Sequence, residues 1–292
     1  MKCRQINDYR TDPVKKWLLL LVFISGIRAC DAQNDSDVLK SRGRQDVVFL
    51  VEHTKEIFDI DDISRANPSG VMGLMTTEMD SSRWLILGKT LTNLTYLRVK
   101  VLTNTLAPDL FAKIAAFQGL RFLHLKCEEA HEVPPDILLL TNLPRLQNLV
   151  LNVPKVTNLN SSIYGIETLE ELVLKAQCDL PDGISRLKRL RVLVCLGKLT
   201  NPERRFSLDL RQSSIEHLEI LNMPGLNKSL SDLPPGLLEL SVVGCELREV
   251  PRKWLEMPKL QYLCLNKNGI QQFPNDLSKL PSLTLLQMEY TA

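Results

Sequence analysis

One spacing constrains this chain more than any other feature. An apolar residue, two variable residues, a second apolar residue, one variable residue and a third apolar residue recur from Leu94, Leu120, Leu146, Leu169, Leu190, Ile215, Leu237, Leu260 and Leu283, at intervals of 21 to 26 residues. The second and third apolar positions follow in every copy, as in Leu97/Val99, Leu149/Leu151, Leu172/Leu174 and Leu263/Leu265. Nine copies in one register define a repeating structural unit.

Alternating residues of a strand point to opposite sides, so the apolar ones face inward and those between them face out. Segments such as Val133-Pro134-Pro135-Asp136-Ile137, Leu180-Pro181-Asp182-Gly183-Ile184 and Phe273-Pro274-Asn275-Asp276-Leu277 separate the strands. Each predicts a short helix with proline near its first turn, where no amide donor is missed. One unit cannot bury its own leucines, but stacked neighbours can, each side chain contributing about 1.5–3 kcal/mol. The expected fold class is α/β: a horseshoe solenoid with a parallel concave sheet and short helices or irregular segments on the convex side.

Residues 180–193 (Leu-Pro-Asp-Gly-Ile-Ser-Arg-Leu-Lys-Arg-Leu-Arg-Val-Leu) and 273–286 (Phe-Pro-Asn-Asp-Leu-Ser-Lys-Leu-Pro-Ser-Leu-Thr-Leu-Leu) resemble intracellular leucine-rich repeats. They are similar to Ras-binding leucine-rich repeat scaffolds and to the repeat domains of plant nucleotide-binding disease resistance proteins. The resemblance covers residues 82–292 and implies a protein-binding module, related either to defence receptors or to scaffolds for a small GTPase. One position departs from the family pattern. The ninth repeat residue, usually Asn or Cys, is kept only at Cys245 and Asn268, and elsewhere it is Leu102, Glu128, Pro154, Gln177, Lys198, Met223 and Thr291. The asparagine ladder is therefore expected to be mostly absent and the repeats irregular.

Outside the repeats, Lys15-Lys16 precede an apolar run from Trp17 to Ile27 and the small residues Ala29 to Ala32. That order suits a secretory signal, and the run is short of the roughly 20 residues a spanning helix needs. Residues 1–32 are read as a signal or leader, 33–81 as a cap or poorly ordered leader with a strand at Val47–Val51, and 82–292 as the repeat domain. The leader favours the secretory route, with a cytoplasmic chain as the alternative. After Leu283–Met288 only four residues follow, which predicts an unseen domain or partner over the last repeat, or a truncated receptor.

Residues with chemical potential have a plain structural explanation in each case. Leu87-Gly88-Lys89-Thr90 ends like a phosphate-binding loop, but Arg83 stands where its first glycine belongs, so an edge strand and turn is expected. His124, Cys127 and His131 lack a fourth metal ligand at suitable spacing. Asp59, Asp61 and Asp62 lack the glycine and distal carboxylate of a calcium loop. The seven cysteines have no paired spacing: Cys195 replaces a core leucine, Cys245 takes the loop position and Cys264 faces outward. Asn34, Asn93, Asn160 and Asn227 begin glycosylation acceptor triplets, with Asn93 expected to be the poorly accessible one beside Leu94. No hydrolase, metalloprotease or kinase signature occurs. The expectation is a non-enzyme without cofactor or metal.

The 36 basic and 34 acidic residues nearly cancel and aromatics are 5%, so no nucleic acid partner is expected. The outward strand residues are uneven. Tyr96, Arg98, Lys100, Arg121, Phe122, His124 and Lys126 make the first repeats basic and aromatic, whereas Glu170, Glu171, Glu216, Glu219, Glu239 and Glu289 make the later ones acidic. Exposed Tyr, Phe and Arg are enriched at protein interfaces, so the basic-aromatic end is the candidate surface for a protein ligand.

Overall fold

The computed structural model describes residues 55–56, 71–77, 80–156, 159–176, 183–197, 210–223, 233–273 and 277–289. The segment 17–27, the strand expected at 47–51, Asp59 to Asp62, Asn34, Asn227, Cys3, Cys30, Cys178 and residues 180–182 lie outside the described residues.

Among the described residues eleven strands pair in chain order in one sheet, all parallel. They are β1 (Lys55–Glu56), β2 (Gly73–Thr77), β3 (Tyr96–Lys100), β4 (Phe122–Lys126), β5 (Asn148–Asn152), β6 (Glu171–Lys175), β7 (Val192–Leu196), β8 (His217–Leu221), β9 (Glu239–Val243), β10 (Tyr262–Cys264) and β11 (Leu285–Gln287). Strands β3 to β11 each begin two residues after one of the nine repeat starts. Strand β2 extends the ladder before Leu94. Val71 and Leu74 are buried as a first and fourth repeat residue would be, and Leu74 pairs with Leu97. Thr76 takes the third inward place, so leucine spacing alone does not reveal this unit.

Each repeat passes to the next through the same backbone bonds. At the strand start, the amides of Arg121 and Phe122 both donate to the Thr95 carbonyl, each at 2.9 Å, and the later repeats copy this fork. At the strand end, the amide of the eighth repeat residue donates to the carbonyl of the next repeat's seventh, as from Val101 to Lys126 at 2.8 Å and from Lys267 to Glu289 at 2.8 Å.

Beyond that point the loops take two forms. In the first, Val101, Cys127, Val153 and Ala176 at the eighth position are buried, and the ninth residues Leu102 and Glu128 are exposed. In the second, the eighth residue is left-handed, with φ of 53° at Asn222, 63° at Gly244 and 54° at Lys267. That turn carries the ninth residues Met223, Cys245 and Asn268 inward instead. The missing asparagine ladder is thus replaced over the early repeats by apolar side chains one position earlier. Gly197 stands at the junction, where an added Cβ would come within 2.7 Å of Met223 Cγ.

The other side of the core is closed by α1 (Ser81–Thr90), α2 (Leu110–Ile114) and 3-10 turns at Pro135–Asn142, Ser161–Gly165, Ile184–Arg186 and Arg252–Glu256. The Leu87–Thr90 segment therefore belongs to a helix and not to an edge strand. Asp80 caps it by accepting from the Arg83 amide at 3.0 Å, and Trp84, Leu87 and Leu91 follow at helical spacing into the core. Trp84 meets Phe117 edge-on at 6.1 Å. One continuous core runs from Val71 to Leu280.

Candidate functional site

Because every strand pairs without a slip, the third, fifth and seventh repeat residues line up across the sheet in three rows on its outward face. In the third-residue row, Tyr96 stacks on Phe122 with centroids 5.0 Å apart. Both are buried, with Met75 and Val150 packed beside them in a cluster separate from the main core. The aromatic pair expected as an exposed contact is thus a buried support within the face. Its quadrupole geometry and the lost water contact fix it there.

In the fifth-residue row Arg98 lies against Met75, with Nη1 3.9 Å from Sδ, and pairs in register with His124, itself only 5% exposed. His131 is exposed in the loop, apart from that buried histidine. In the seventh-residue row Lys100 is exposed, and Lys126 Nζ sits 2.9 Å from Glu128 Oε1. Arg121 precedes its strand and falls outside all three rows. It donates twice to Gln147 Oε1, at 3.1 and 2.8 Å, and Gln147 Nε2 donates onward to Glu170 at 2.9 Å. The seven expected residues therefore divide into a buried Tyr96–Phe122–His124 layer, the cations Arg98, Lys100 and Lys126 over it, and Arg121 on the flank.

The acidic half divides in the same way. Glu170 and Glu216 occupy the flank, where Glu216 lies 3.3 Å from Arg191. Glu171, Glu219 and Glu239 are on the sheet face and buried. Asn148 Nδ2 donates to Glu171 at 2.7 Å, and His217 Nδ1 sits 3.0 Å from Glu239. Burial, with Cys264, Glu219 and Glu239 nearby, raises the Tyr262 hydroxyl well above its ordinary value, and that hydroxyl donates to Gln287 at 2.8 Å. Reading the repeats one at a time does not show these cross-strand polar pairs. Aligning the third positions in columns would have.

Among the described residues no group of three or more His, Cys, Asp or Glu side chains is placed to hold a metal ion. Cys127, Cys195, Cys245 and Cys264 are buried thiols that form no disulfide among the described residues. Burial pushes the Cys245 thiol up to about 12. A thiol that stays protonated is a packing element, not a nucleophile. Of the acceptor asparagines, Asn93 is exposed in the turn before β3, whereas Asn160 is half-buried and caps a 3-10 turn. Its Oδ1 accepts from the Ser162 amide at 2.9 Å and the Ser162 hydroxyl at 2.8 Å. Accessibility is thus the reverse of that expected from Leu94's proximity.

Residues 235–292 match the leucine-rich repeat family model. No curated protein matches the sequence. Among solved structures, the leucine-rich repeat domain of the type III effector XopL is 16% identical, with 97% of this chain and 92% of that one covered at a TM-score of 0.53. An internalin (inlF) of Listeria monocytogenes is 19% identical, with 81% and 72% covered and a TM-score of 0.46. The leucine-rich repeat ectodomain of the plant membrane receptor kinase GASSHO1 from Arabidopsis thaliana is 14% identical, with 81% and 46% covered and a TM-score of 0.22. At 16% identity the likeness to the effector domain speaks for the fold alone. With one in-register parallel sheet and a family match over its last repeats, this chain has the fold of a leucine-rich repeat solenoid.

Proposed function

We propose that the chain is a non-catalytic protein-recognition module that receives its partner on the outward face of the sheet. The observation that carries this reading is the unbroken register from β2 to β11, which turns variable repeat positions into rows of side chains, the third- and fifth-residue rows running to β11 and the seventh-residue row to β9. A stiff sheet offers such rows at little ordering cost on binding, which favours recognition of another protein. Arg98, Lys100 and Lys126 are the contact groups at the basic end, Arg121 flanks them, and Tyr96, Phe122 and His124 hold the backing in place. The finer reading is an immune-receptor-like repeat domain. The alternative is an adaptor for a small GTPase or other signalling protein.

The test is quantitative affinity capture from cells expressing the chain, an R98E/K100E variant and an R252E control on the loop side. Partners lost with R98E/K100E and retained with R252E are expected. Identical partner sets from all three proteins would refute binding on the sheet face. The identity of the captured proteins separates defence signalling from a GTPase assembly.

A further inference from the structure

The seventh-residue row changes character half-way across the sheet. Register pairs Lys100 with Lys126, Lys126 with Asn152 and Asn152 with Lys175. Next in the same line come Leu196, Leu221 and Val243. Neighbouring strands lie about 4.8 Å apart, so the three ammonium groups share a stretch of roughly 14 Å. Among the described residues one carboxylate answers them. Lys126 binds Glu128 directly, and with Lys100 and Lys175 it holds that carboxyl below the usual carboxylate range. The neighbouring Glu129 is taken by Lys155. Within this row Asn152 is 8% exposed, and its Oδ1 has no hydrogen-bond partner among the described residues. Half a turn of that amide presents its NH2 group at the same place.

The apolar half is partly open, through Leu196 and Leu221, with Val243 buried at its end. Leu196 and Leu221 are half-buried beside Val243, which packs with Tyr262 and Cys264. Two adjacent half-exposed leucines next to a surplus of positive charge are unusual for a merely solvated face. Water satisfies the lysines but gains nothing from the leucines.

We propose that this row binds an extended segment of a partner protein carrying clustered Asp or Glu residues at one end and aliphatic residues at the other, the acidic end over Lys100, Lys126 and Lys175. The inference rests on sheet-face recognition and supplies its chemistry. From β3 to β9 the row crosses six strand spacings, about 29 Å, which an extended chain of about nine residues spans. Charge complementarity sets the orientation of the segment, and aliphatic burial on Leu196 and Leu221 adds affinity. A polynucleotide would find no cations over the second half of the line. A bilayer would have to bring its headgroups onto strand residues of the sheet rather than onto protruding loops.

The experiment is selection of random displayed nonapeptides on the full chain, repeated with K100A/K126A/K175A and with E128Q. The expected winners have acidic residues at one end and Leu, Ile or Val at the other. Their synthetic copies should bind the triple variant at least about tenfold more weakly, which is 1.4 kcal/mol. They should bind E128Q more tightly, because it removes the competing carboxylate; this variant keeps the test alive if the triple variant fails to fold. Winners that are basic or uncharged overturn the proposal, as do acidic winners indifferent to both variants, or no winners at all. Lysine-dependent retention on phosphatidylserine vesicles without peptide selection would also overturn it, in favour of a membrane. Non-acidic winners whose binding still falls with R98E/K100E would remove only this chemistry. Partner capture unchanged by R98E/K100E would remove sheet-face recognition itself.

Discussion

Asn268 ties two repeats together through one buried amide, and its removal should be among the most damaging single changes in the chain. Oδ1 accepts from the amides of Cys245 at 3.0 Å and Leu247 at 3.2 Å, both in the preceding repeat. Nδ2 donates to the carbonyls of Val242 at 2.7 Å and Leu265 at 2.8 Å. In Asn268→Ala the two amides lose their acceptor in a place water does not reach. A buried donor left unsatisfied costs about 1–3 kcal/mol, whereas carbonyls, with two lone pairs, suffer less. The expected loss is about 3–5 kcal/mol. Urea unfolding followed by circular dichroism measures it, and hydrogen exchange at the Cys245 and Leu247 amides localises it.

Asn268→Asp separates the two halves of this amide. The carboxylate keeps the acceptor but faces the Val242 and Leu265 carbonyls without a proton. Its pKa must therefore rise in the folded state, since the protonated acid can donate where the ionised one repels. A raised carboxyl pKa means that the folded chain holds the proton more strongly than the unfolded one. The deficit relative to the native chain is then full above the folded pKa and shrinks as pH falls towards the ordinary carboxyl value. A loss below about 1 kcal/mol for Asn268→Ala, or an Asn268→Asp deficit that does not shrink with acid, would refute the argument.

Three further outcomes follow from the same geometry. Gly197→Ala should destabilise by about 1–2 kcal/mol by pressing on Met223, and a G197A/M223A double-mutant cycle should recover most of it; additivity would mean the two do not compete for space. Thr76→Val should raise stability by up to about 1 kcal/mol, because a buried hydroxyl at a third inward position is replaced by a methyl; a comparable loss would show that its 2.9 Å bond to the Thr77 carbonyl matters more than burial. Cys245, with its thiol raised to about 12, contributes stability that is complete below the unfolded value of about 9 and declines by about 1.4 kcal/mol per pH unit above it. Alkaline unfolding of the chain against Cys245→Ala measures that slope, and equal curves between pH 9 and 11 would contradict it.

How far the sequence was legible follows from which positions obey the inward rule. Leu97, Leu123, Leu149 and Leu172 must be apolar to fill the core, so their spacing exposed the strands, their order and their register. Thr76 breaks that rule while remaining buried, and β2 was hidden for that reason. The Leu87–Thr90 helix was misread because Trp84, Leu85, Ile86 and Leu87 form a short apolar run that suits a strand or a helix; the Asp80 cap and the spacing of Trp84, Leu87 and Leu91 decide it. On the sheet face, charge was visible but burial was not. Tyr96 and Phe122 resemble contact residues until their stacking removes them from solvent, and Lys175 gains meaning only when the register places it one strand from Asn152.

The two loop forms are two solutions to one problem, closing the core where the strands end. An inward eighth residue such as Val153 closes it by apolar burial, worth about 1.5–3 kcal/mol, with ordinary backbone angles. A left-handed eighth residue such as Lys267 closes it by delivering Asn268 to buried amides, and its own conformation costs about 1–2 kcal/mol at a non-glycine residue. The second form is favourable only where the ninth side chain returns more than that cost, which Asn268 does through its four cross-linked backbone groups. Met223 has no such bonds to offer. Its inward turn is held by packing and by the backbone amides of Asn222 and Met223, which face the buried Cys245 thiol, and Gly197 leaves the Met223 side chain room at that junction. A side chain at Gly197 should push the Asn222–Met223 loop towards the earlier form, and only that loop, because the eighth-position amide bonds on either side are common to both.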